Sequence, residues 1–203
     1  DRFNNLIRVG FDVVGVTRDG RPEPYATESI SNGVRVRIGD KDVFLNRGEH
    51  VYVIEYDTTR QLGFFKDFDE LYWNVTGNAW EFVIESAEVT ISLPGGAQML
   101  NWSAYTGVQG TTGPGDAALV ENMGSSVRIK TTRLLGFNEG LTVAVSWPKG
   151  FVQEPSSAER TGNFFADNGA IFAGLVGVLG LLGYYYSVWS RYGRDPDGGV
   201  VIP

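Results

Sequence analysis

One short stretch, Val34-Arg35-Val36-Arg37-Ile38, decides the class of fold, because every second side chain in it is apolar. Successive side chains of a β-strand point to opposite faces, so this alternation predicts a strand with one buried face. Asn32-Gly33 comes directly before the stretch, and a second strand pattern, Tyr25 to Ser31, comes before that dipeptide. The arrangement predicts a tight β-hairpin, and Asp19-Gly20 predicts another.

The same alternation continues from residue 5 to about residue 147, a region in which helical periodicity is absent. The clearest rows of apolar side chains are Ile7/Val9/Phe11/Val13, Val89/Ile91/Leu93, Val127/Ile129 and Leu141/Val143/Val145/Trp147. Further strands are predicted at residues 51–56, 70–75, 82–85 and 98–104. Short strands that each bury one face are expected to pack as sheets, face to face. The predicted fold class is therefore mainly β, an antiparallel β-sandwich with immunoglobulin-like packing.

Two glycine-rich segments lie between the predicted strands. Pro94-Gly95-Gly96 has the residues of a tight turn, and we expect it to close a third hairpin. Residues 106–117 contain glycine at positions 107, 110, 113 and 115, which predicts a long loop.

A long uncharged stretch follows the β-rich region: residues 168–190 give 23 positions without a formal charge. A bilayer core needs about 20 apolar residues of helix, so the stretch predicts one transmembrane α-helix. Aromatic side chains mark both interfaces, at Phe164, Phe165, Tyr184, Tyr185, Tyr186 and Trp189. The alternative is a buried helical hairpin of a soluble protein, since the glycines at 174, 177, 180 and 183 lower helix propensity in water.

Small residues recur at helical spacing inside this stretch. Ala170 with Gly174, and Ala173 with Gly177, are separated by four positions and would share a helix face. Small side chains let membrane helices approach closely, so these four residues are candidate packing positions. Self-association through them is a hypothesis.

Charges at the two ends of the stretch indicate its orientation. Arg191 and Arg194 follow it and Asp167 precedes it, which places the C-terminus in the cytoplasm, although Arg160 weakens the asymmetry. The predicted division is an extracytoplasmic β-sandwich domain at 1–150, a linker at 151–167, a transmembrane helix at 168–190 and a cytoplasmic juxtamembrane stub at 191–203. Localisation to the cell membrane follows, with residues 1–167 outside.

The composition excludes several classes of chemistry. The chain has no cysteine, so disulfides, thiolate zinc sites and cysteine nucleophiles are excluded. Its formal net charge of -7 lies before residue 168, and without a visible basic patch a nucleic-acid partner is not expected. Because the chain opens at Asp1 without methionine or a signal peptide, we expect a processed product or a fragment.

Several motifs in family order resemble the YciQ-like predicted membrane proteins of bacteria, a family of unknown function. The most specific is Leu71-Tyr72-Trp73-Asn74-Val75-Thr76-Gly77; others are Tyr105-Thr106-Gly107 and, past the helix, Arg191-Tyr192-Gly193-Arg194-Asp195-Pro196. The resemblance implies a signal peptide in the full-length protein, an exported domain and further membrane helices. It also implies that this chain lacks the family's first strands, and it supplies no catalytic residues.

Titratable residues offer little for catalysis. His50 is the only histidine and is expected to be a surface residue. Asp67, Asp69 and Glu70 could in principle bind calcium, but the glycine and distal glutamate of a calcium loop are missing, which favours a solvated turn. The same carboxylates could form a glycosidase pair. We expect neither a metal site nor a cofactor.

The sequence feature that most favours a binding function is a group of aromatic residues, because aromatic side chains anchor interfaces. Its members are Phe64, Phe65, Phe68, Tyr72, Trp73 and Trp80. The alternative is structural, with Trp73 and Trp80 in the core and Phe64 and Phe65 filling a loop.

Three functions remain open at this point. The favoured one is a non-catalytic binding or assembly module of the bacterial cell envelope, held at the membrane and recognising an envelope protein or polymer. The second is a carboxylate-dependent envelope hydrolase with convergent acids around Asp67, Asp69 and Glu70. The third is the external cap of a transporter-like membrane assembly.

Overall fold

The computed structural model describes residues 7–30, 33–77, 79–111 and 113–194. The chain forms two compact units. The unit Val9–Glu154, called the β unit below, consists of strands and loops, and the unit made of Asp1–Arg8 and Pro155–Pro203, called the helical unit, contains two helices.

The strands of the β unit pair antiparallel throughout the described residues, which confirms the predicted class of sheet. Their bounds are β1 Phe11–Arg18, β2 Arg21–Pro22, β3 Tyr25–Ile30, β4 Gly33–Ile38, β5 Tyr52–Thr58, β6 Leu62–Phe64, β7 Phe68–Asn74, β8 Glu88–Ser92, β9 Asn101–Val108, β10 Ala117–Asn122, β11 Ser126–Thr131 and β12 Glu139–Pro148.

Two of the sheets share one hydrophobic core. The strand orders are β6-β7-β12-β9 and β10-β11-β8, beside a β2-β1-β5 sheet and a β3-β4 ribbon. Leu141, Val143 and Val145 of β12 are fully buried, as are Val127 and Ile129 of β11, and all belong to the same core cluster. This is the face-to-face packing predicted for a β-sandwich. The immunoglobulin-like form of this packing stays a prediction.

Two of the three predicted hairpins are formed. Asp19-Gly20 joins β1 to β2, with Arg18 paired to Arg21. Both turn residues have positive φ, 52° and 75°, which is the conformation that Asp-Gly turns supply. Strands β3 and β4 also pair, from Tyr25 opposite Ile38 to Ile30 opposite Gly33, while Ser31 and Asn32 lie outside the described residues.

The third predicted hairpin, at Pro94-Gly95-Gly96, is wrong. This segment is a short 3-10 turn between β8 of the three-stranded sheet and β9 of the four-stranded sheet. Leu93 and Ala97 on either side of the turn are buried in the core. The turn therefore carries the chain across the sandwich, because both flanking residues bury apolar side chains between the sheets.

One strand prediction and one loop prediction also differ from the structure. Residues 82–85 form an isolated bridge, Ile84 with Leu135, in place of a strand. Strand β9 continues to Val108, into the segment expected to be a loop from residue 106, because Glu139 at the start of β12 pairs with Val108. Pairing with β12 thus extends β9 to Val108, and the glycine content of this segment does not predict that pairing.

The helical unit contains α1 (Ser157–Asp167) and α2 (Gly169–Tyr192). Helix α1 lies within the predicted linker and begins at a capping box, in which Ser156 and Glu159 satisfy each other's backbone N–H groups. Helix α2 corresponds to the predicted transmembrane segment. Among the described residues it is the one helix long and apolar enough to span a membrane, and none of its apolar window is buried. The alternative of a buried hairpin in a soluble core therefore has no support.

Candidate functional site

Strand β7 presents different side chains on its two faces. Trp73 packs against the core, and its ring stacks on Tyr56 with centroids 6.4 Å apart. The flanking residues Tyr72 and Asn74 point to the opposite, outer face and are exposed, Tyr72 by 58%. The alternation of a single strand thus places an aromatic ring and a carboxamide side by side on one surface.

Central strand β12 places a second tyrosine beside the first. Thr142 is opposite Asn74 on one side and Tyr105 of β9 on the other, while Ala144 is opposite Tyr72. The Tyr72 and Tyr105 rings face each other diagonally across β12, with centroids 6.2 Å apart and planes inclined by 43°. Ala144 is buried on this face, whereas Thr142 lines an open groove beside the two rings.

The groove has a volume of about 460 Å³, which falls within the size range of small-molecule sites. We call it the Tyr72–Tyr105 groove. It is lined by Tyr72, Asn74, Tyr105 and Thr142, and its wall is formed by the end of β9 and by described residues of the loop that follows β9, including Gln109. None of the described residues that line it carries a formal charge. A neutral groove is notable in a β unit with a large excess of acidic residues.

The base of the glycine-rich loop is fixed to strand β9. Gly115 donates its backbone N–H to the carbonyl of Ala104 at 2.7 Å, and Asp116 donates its backbone N–H to the Thr106 hydroxyl at 2.8 Å. A Cβ atom at Gly115 would lie 2.6 Å from the Thr106 backbone nitrogen. Glycine is therefore required there for the loop to approach the strand so closely.

Arg133 ties the same loop base to the start of β12. Its guanidinium donates to Asp116 at 2.7 Å and to Glu139 at 2.6 Å. The hydrogen bonds that Arg133 donates, first to Glu139 and then to Asp116, raise the pKa of Arg133. The bonds that Glu139 accepts, from Arg133 and then from the Gly136 backbone N–H, lower the pKa of its carboxyl group. The network anchors one wall of the groove.

The aromatic residues singled out in the sequence are divided among several places. Phe65 stacks on Phe68 at 4.8 Å, and Phe64 lies under the Lys149 ammonium group at 5.4 Å. Trp80 is 43% exposed, contacts Phe82 and donates its indole N–H to the Thr76 carbonyl at 2.6 Å. Trp73 lies toward the core. Tyr72 is the member of the group that lines the groove.

The three acidic residues considered for metal binding or catalysis do not share one face. Asp69 is fully buried on the core side of β7, where it accepts from Lys149 at 2.7 Å, and its neighbour Glu70 points to the opposite face. Asp67 is exposed in the turn before β7. The described residues contain no group of three metal-ligating side chains.

His50 is half-buried and forms two hydrogen bonds within the β unit. Its Nδ1 lies 2.9 Å from Asp19 Oδ2 and its Nε2 lies 3.0 Å from the Asn46 carbonyl oxygen. Both partners are acceptors, so the imidazolium, which has two N–H donors, satisfies both. The Asn46 carbonyl first, and then Asp19, raises the pKa of His50, while His50 lowers the pKa of Asp19.

The candidate helix-packing residues lie where the sequence placed them. Ala170, Ala173, Gly174 and Gly177 are all in the first half of α2. A Cβ atom added at Gly174 or Gly177 would contact nothing within 4 Å. Association through this face stays a prediction.

Sequence reasoning missed most of the groove. The predicted binding residues include none of Asn74, Tyr105, Gln109 and Thr142, although Tyr72 and Asn74 alternate within one predicted strand and the alternation alone puts them on one face. The Tyr105-Thr106-Gly107 motif supports the family resemblance but does not by itself indicate a binding role for Tyr105. The proximity of Tyr105 to Tyr72 depends on β12, which follows both in the chain and pairs between them.

Comparison with known proteins gives a family and one relative. A family model described as "Predicted membrane protein (DUF2207) N-terminal domain" matches residues 2–147. The chain is similar to "Uncharacterized protein YciQ" of Escherichia coli (strain K12), with 31% identity over 160 residues, which is 78% of this chain and 24% of the relative. The chain thus spans about a quarter of the length of this curated relative. No solved structure matches.

Proposed function

We propose, since this chain belongs to the DUF2207 family of predicted membrane proteins, that it holds a non-catalytic binding module of the bacterial cell envelope outside the cytoplasm. Helix α2 is the anchor, and the Tyr72–Tyr105 groove is the recognition surface. The observation that carries the proposal is the groove itself, an open groove lined by two tyrosine rings and neutral polar groups. The loop that forms its wall is held at its base by the Arg133 network.

The lining favours binding over catalysis. Hydrolytic chemistry with carboxylates needs two convergent acids, one of them with a raised pKa. The described groove residues include no acid, and the buried Asp69 is held by Lys149 on the other face of the sheet. The hydrolase and transporter-cap alternatives stay predictions with less support.

The charge distribution around α2 supports the orientation. Arg191 occupies its last turn and Arg194 follows, whereas Asp167 comes directly before its first turn. Cationic residues are retained on the cytoplasmic side, so the β unit is external in this proposal. The residues after 194 belong to the proposed cytoplasmic stub and lie outside the described part of the chain.

Cysteine labelling tests the orientation. Because the chain has no cysteine, single substitutions at the exposed residues Lys41 and Tyr192 give one label site each and leave Arg191 and Arg194 in place. In intact spheroplasts, a membrane-impermeant maleimide is expected to modify Lys41→Cys, and to modify Tyr192→Cys only after permeabilisation. The reverse pattern would overturn the proposed location.

Sedimentation tests the binding role. The whole chain in phospholipid nanodiscs is expected to co-sediment with an insoluble bacterial envelope fraction, and a Tyr72→Ala/Tyr105→Ala variant is expected to lose most of that binding. Tyr52, a 42% exposed tyrosine of β5, provides the matched control as Tyr52→Ala. Absence of binding, or equal loss with Tyr52→Ala, would contradict the proposal.

A further inference from the structure

The Tyr72–Tyr105 groove has the chemistry of a site for an uncharged polyhydroxylated chain, and we infer that its ligand is a neutral polysaccharide segment. This inference rests on the proposed binding function and names the class of ligand. Three properties of the described residues support it: the two tyrosine rings, the neutral polar groups that line the same groove and the absence of charge in the lining.

The tyrosine rings supply stacking surfaces. Tyr72 is more than half exposed and Tyr105 is half-buried on the same sheet face. A sugar ring presents an apolar face of C–H groups, which packs on an aromatic ring because the ring face is apolar and carries negative charge density. With the planes inclined by 43° and the centroids 6.2 Å apart, the rings are suited to contacting the faces of a bent chain.

Neutral donors and acceptors line the same groove as the rings. The Asn74 carboxamide oxygen accepts from the Gly77 backbone N–H at 3.0 Å, so its amide nitrogen is the atom that can donate to a ligand. The Thr142 hydroxyl and the Gln109 carboxamide line the same groove. Hydroxyl groups of a sugar both donate and accept, and such uncharged side chains match them without leaving a buried charge unpaired.

Charge argues against the other envelope polymers. A phosphate-bearing or uronate-bearing chain needs cationic partners, and the described groove residues provide neither lysine nor arginine. The nearby Arg133 forms ion pairs with Asp116 and Glu139. The acidic excess of the β unit would also repel an anionic polymer at a distance.

Titration with defined oligosaccharides tests the ligand class. The whole chain is placed in phosphatidylcholine nanodiscs, because maltoside and glucoside detergents present neutral sugars that would compete. The probes are maltohexaose, cellohexaose and chitohexaose, with hexagalacturonate and an uncharged peptide for contrast. Binding is measured by saturation-transfer NMR and calorimetry. At least one neutral oligosaccharide is expected to bind, and hexagalacturonate and the peptide are not.

Matched variants place the ligand in the groove. Tyr72→Ala and Tyr105→Ala are each expected to weaken binding about tenfold, the equivalent of one stacked aromatic contact. Tyr72→Phe and Tyr105→Phe keep the ring and are expected to retain binding, which separates lost stacking from misfolding. Tyr52→Ala is expected to have no effect.

The outcomes distinguish this inference from the proposed function. If the chain co-sediments with the envelope fraction through the groove but binds no neutral oligosaccharide, or binds hexagalacturonate or the peptide instead, the polysaccharide inference is overturned and the binding module stands. If neither envelope nor oligosaccharide is bound, both are overturned.

Discussion

The Lys149 ammonium nitrogen lies 2.7 Å from Oδ1 of Asp69, whose side chain is 1% exposed, whereas that of Lys149 is 32% exposed. Asp69 is placed in the core by the alternation of β7, opposite Trp147 of β12. A buried carboxylate needs a paired cation, because transfer of the carboxylate from water into the protein interior costs free energy. Lys149 is thus the partner that makes the buried position of Asp69 tolerable.

Removal of that partner is expected to destabilise the β unit. Lys149→Met leaves Asp69 buried without its cation, and we expect a loss of about 2 to 3 kcal/mol in the free energy of unfolding, reduced from the fully buried case because Lys149 is partly exposed. Urea denaturation followed by near-UV circular dichroism measures it. Lys66→Met, at an exposed lysine of the β6–β7 turn, is the control, and equal midpoints for the two variants would contradict the prediction.

Because the glycine-rich loop packs closely against β9, we expect the stability of the β unit to be sensitive to substitution of Gly115. A Cβ atom there would lie 2.6 Å from the Thr106 nitrogen and 2.8 Å from the Ala104 carbonyl oxygen, both backbone atoms that cannot move aside easily. Gly115→Ala is expected to cost about 1 to 3 kcal/mol of stability and to speed amide exchange in the loop. Gly15→Ala, whose Cβ would meet nothing within 4 Å, is the control. Identical exchange in both variants would show that the loop is not held as described.

The His50–Asp19 pair predicts a pH dependence of stability. The folded pKa of His50 is raised above its ordinary value of about 6.5, so its stabilising contribution is complete below that pH and is lost as the pH rises through the folded pKa. The pKa of Asp19 is lowered, so its contribution is present at neutral pH and lost as the pH falls through its folded pKa.

Because the chain has one histidine, the effect can be assigned without ambiguity. The melting temperature of the wild-type chain is expected to fall between about pH 6 and pH 8, the range in which histidine titrates. His50→Gln is expected to remove this slope. NMR titration of the single imidazole gives its pKa directly. A value at or below 6.5, or the same slope in His50→Gln, would refute the prediction.

The proposed membrane-spanning position of α2 predicts a position-dependent effect of charge. Leu181 lies near the middle of the helix, and Leu181→Lys is expected to disfavour insertion by about 2.5 to 3.5 kcal/mol. Tyr185→Lys, one turn closer to Arg191, can extend its ammonium group to the interface and is expected to be tolerated. The fraction of chain that resists alkaline extraction from membranes measures both. Equal retention would indicate that α2 does not cross the bilayer.

Local sequence patterns suffice to predict the class of sheet, two of the hairpins and the apolar helix. These features depend on local periodicity and turn chemistry: the alternation around Val36, the Asp19-Gly20 turn and the uncharged run from residue 168 each act over neighbouring residues. The family resemblance, which the comparisons confirm, also rests on local motifs.

The pairing of the strands, and therefore the position of the candidate site, follows only from long-range contacts in the folded β unit. Pro94-Gly95-Gly96 reads locally as a hairpin but crosses between sheets, because Leu93 and Ala97 enter a core made by distant strands. Tyr72 and Tyr105 meet only because β12 pairs between their strands, and the buried Asp69 has a cationic partner only because the chain after β12 brings Lys149 beside it. Such pairings depend on the free energy of packing the whole core, which involves residues far apart in the sequence and cannot be calculated from a local pattern.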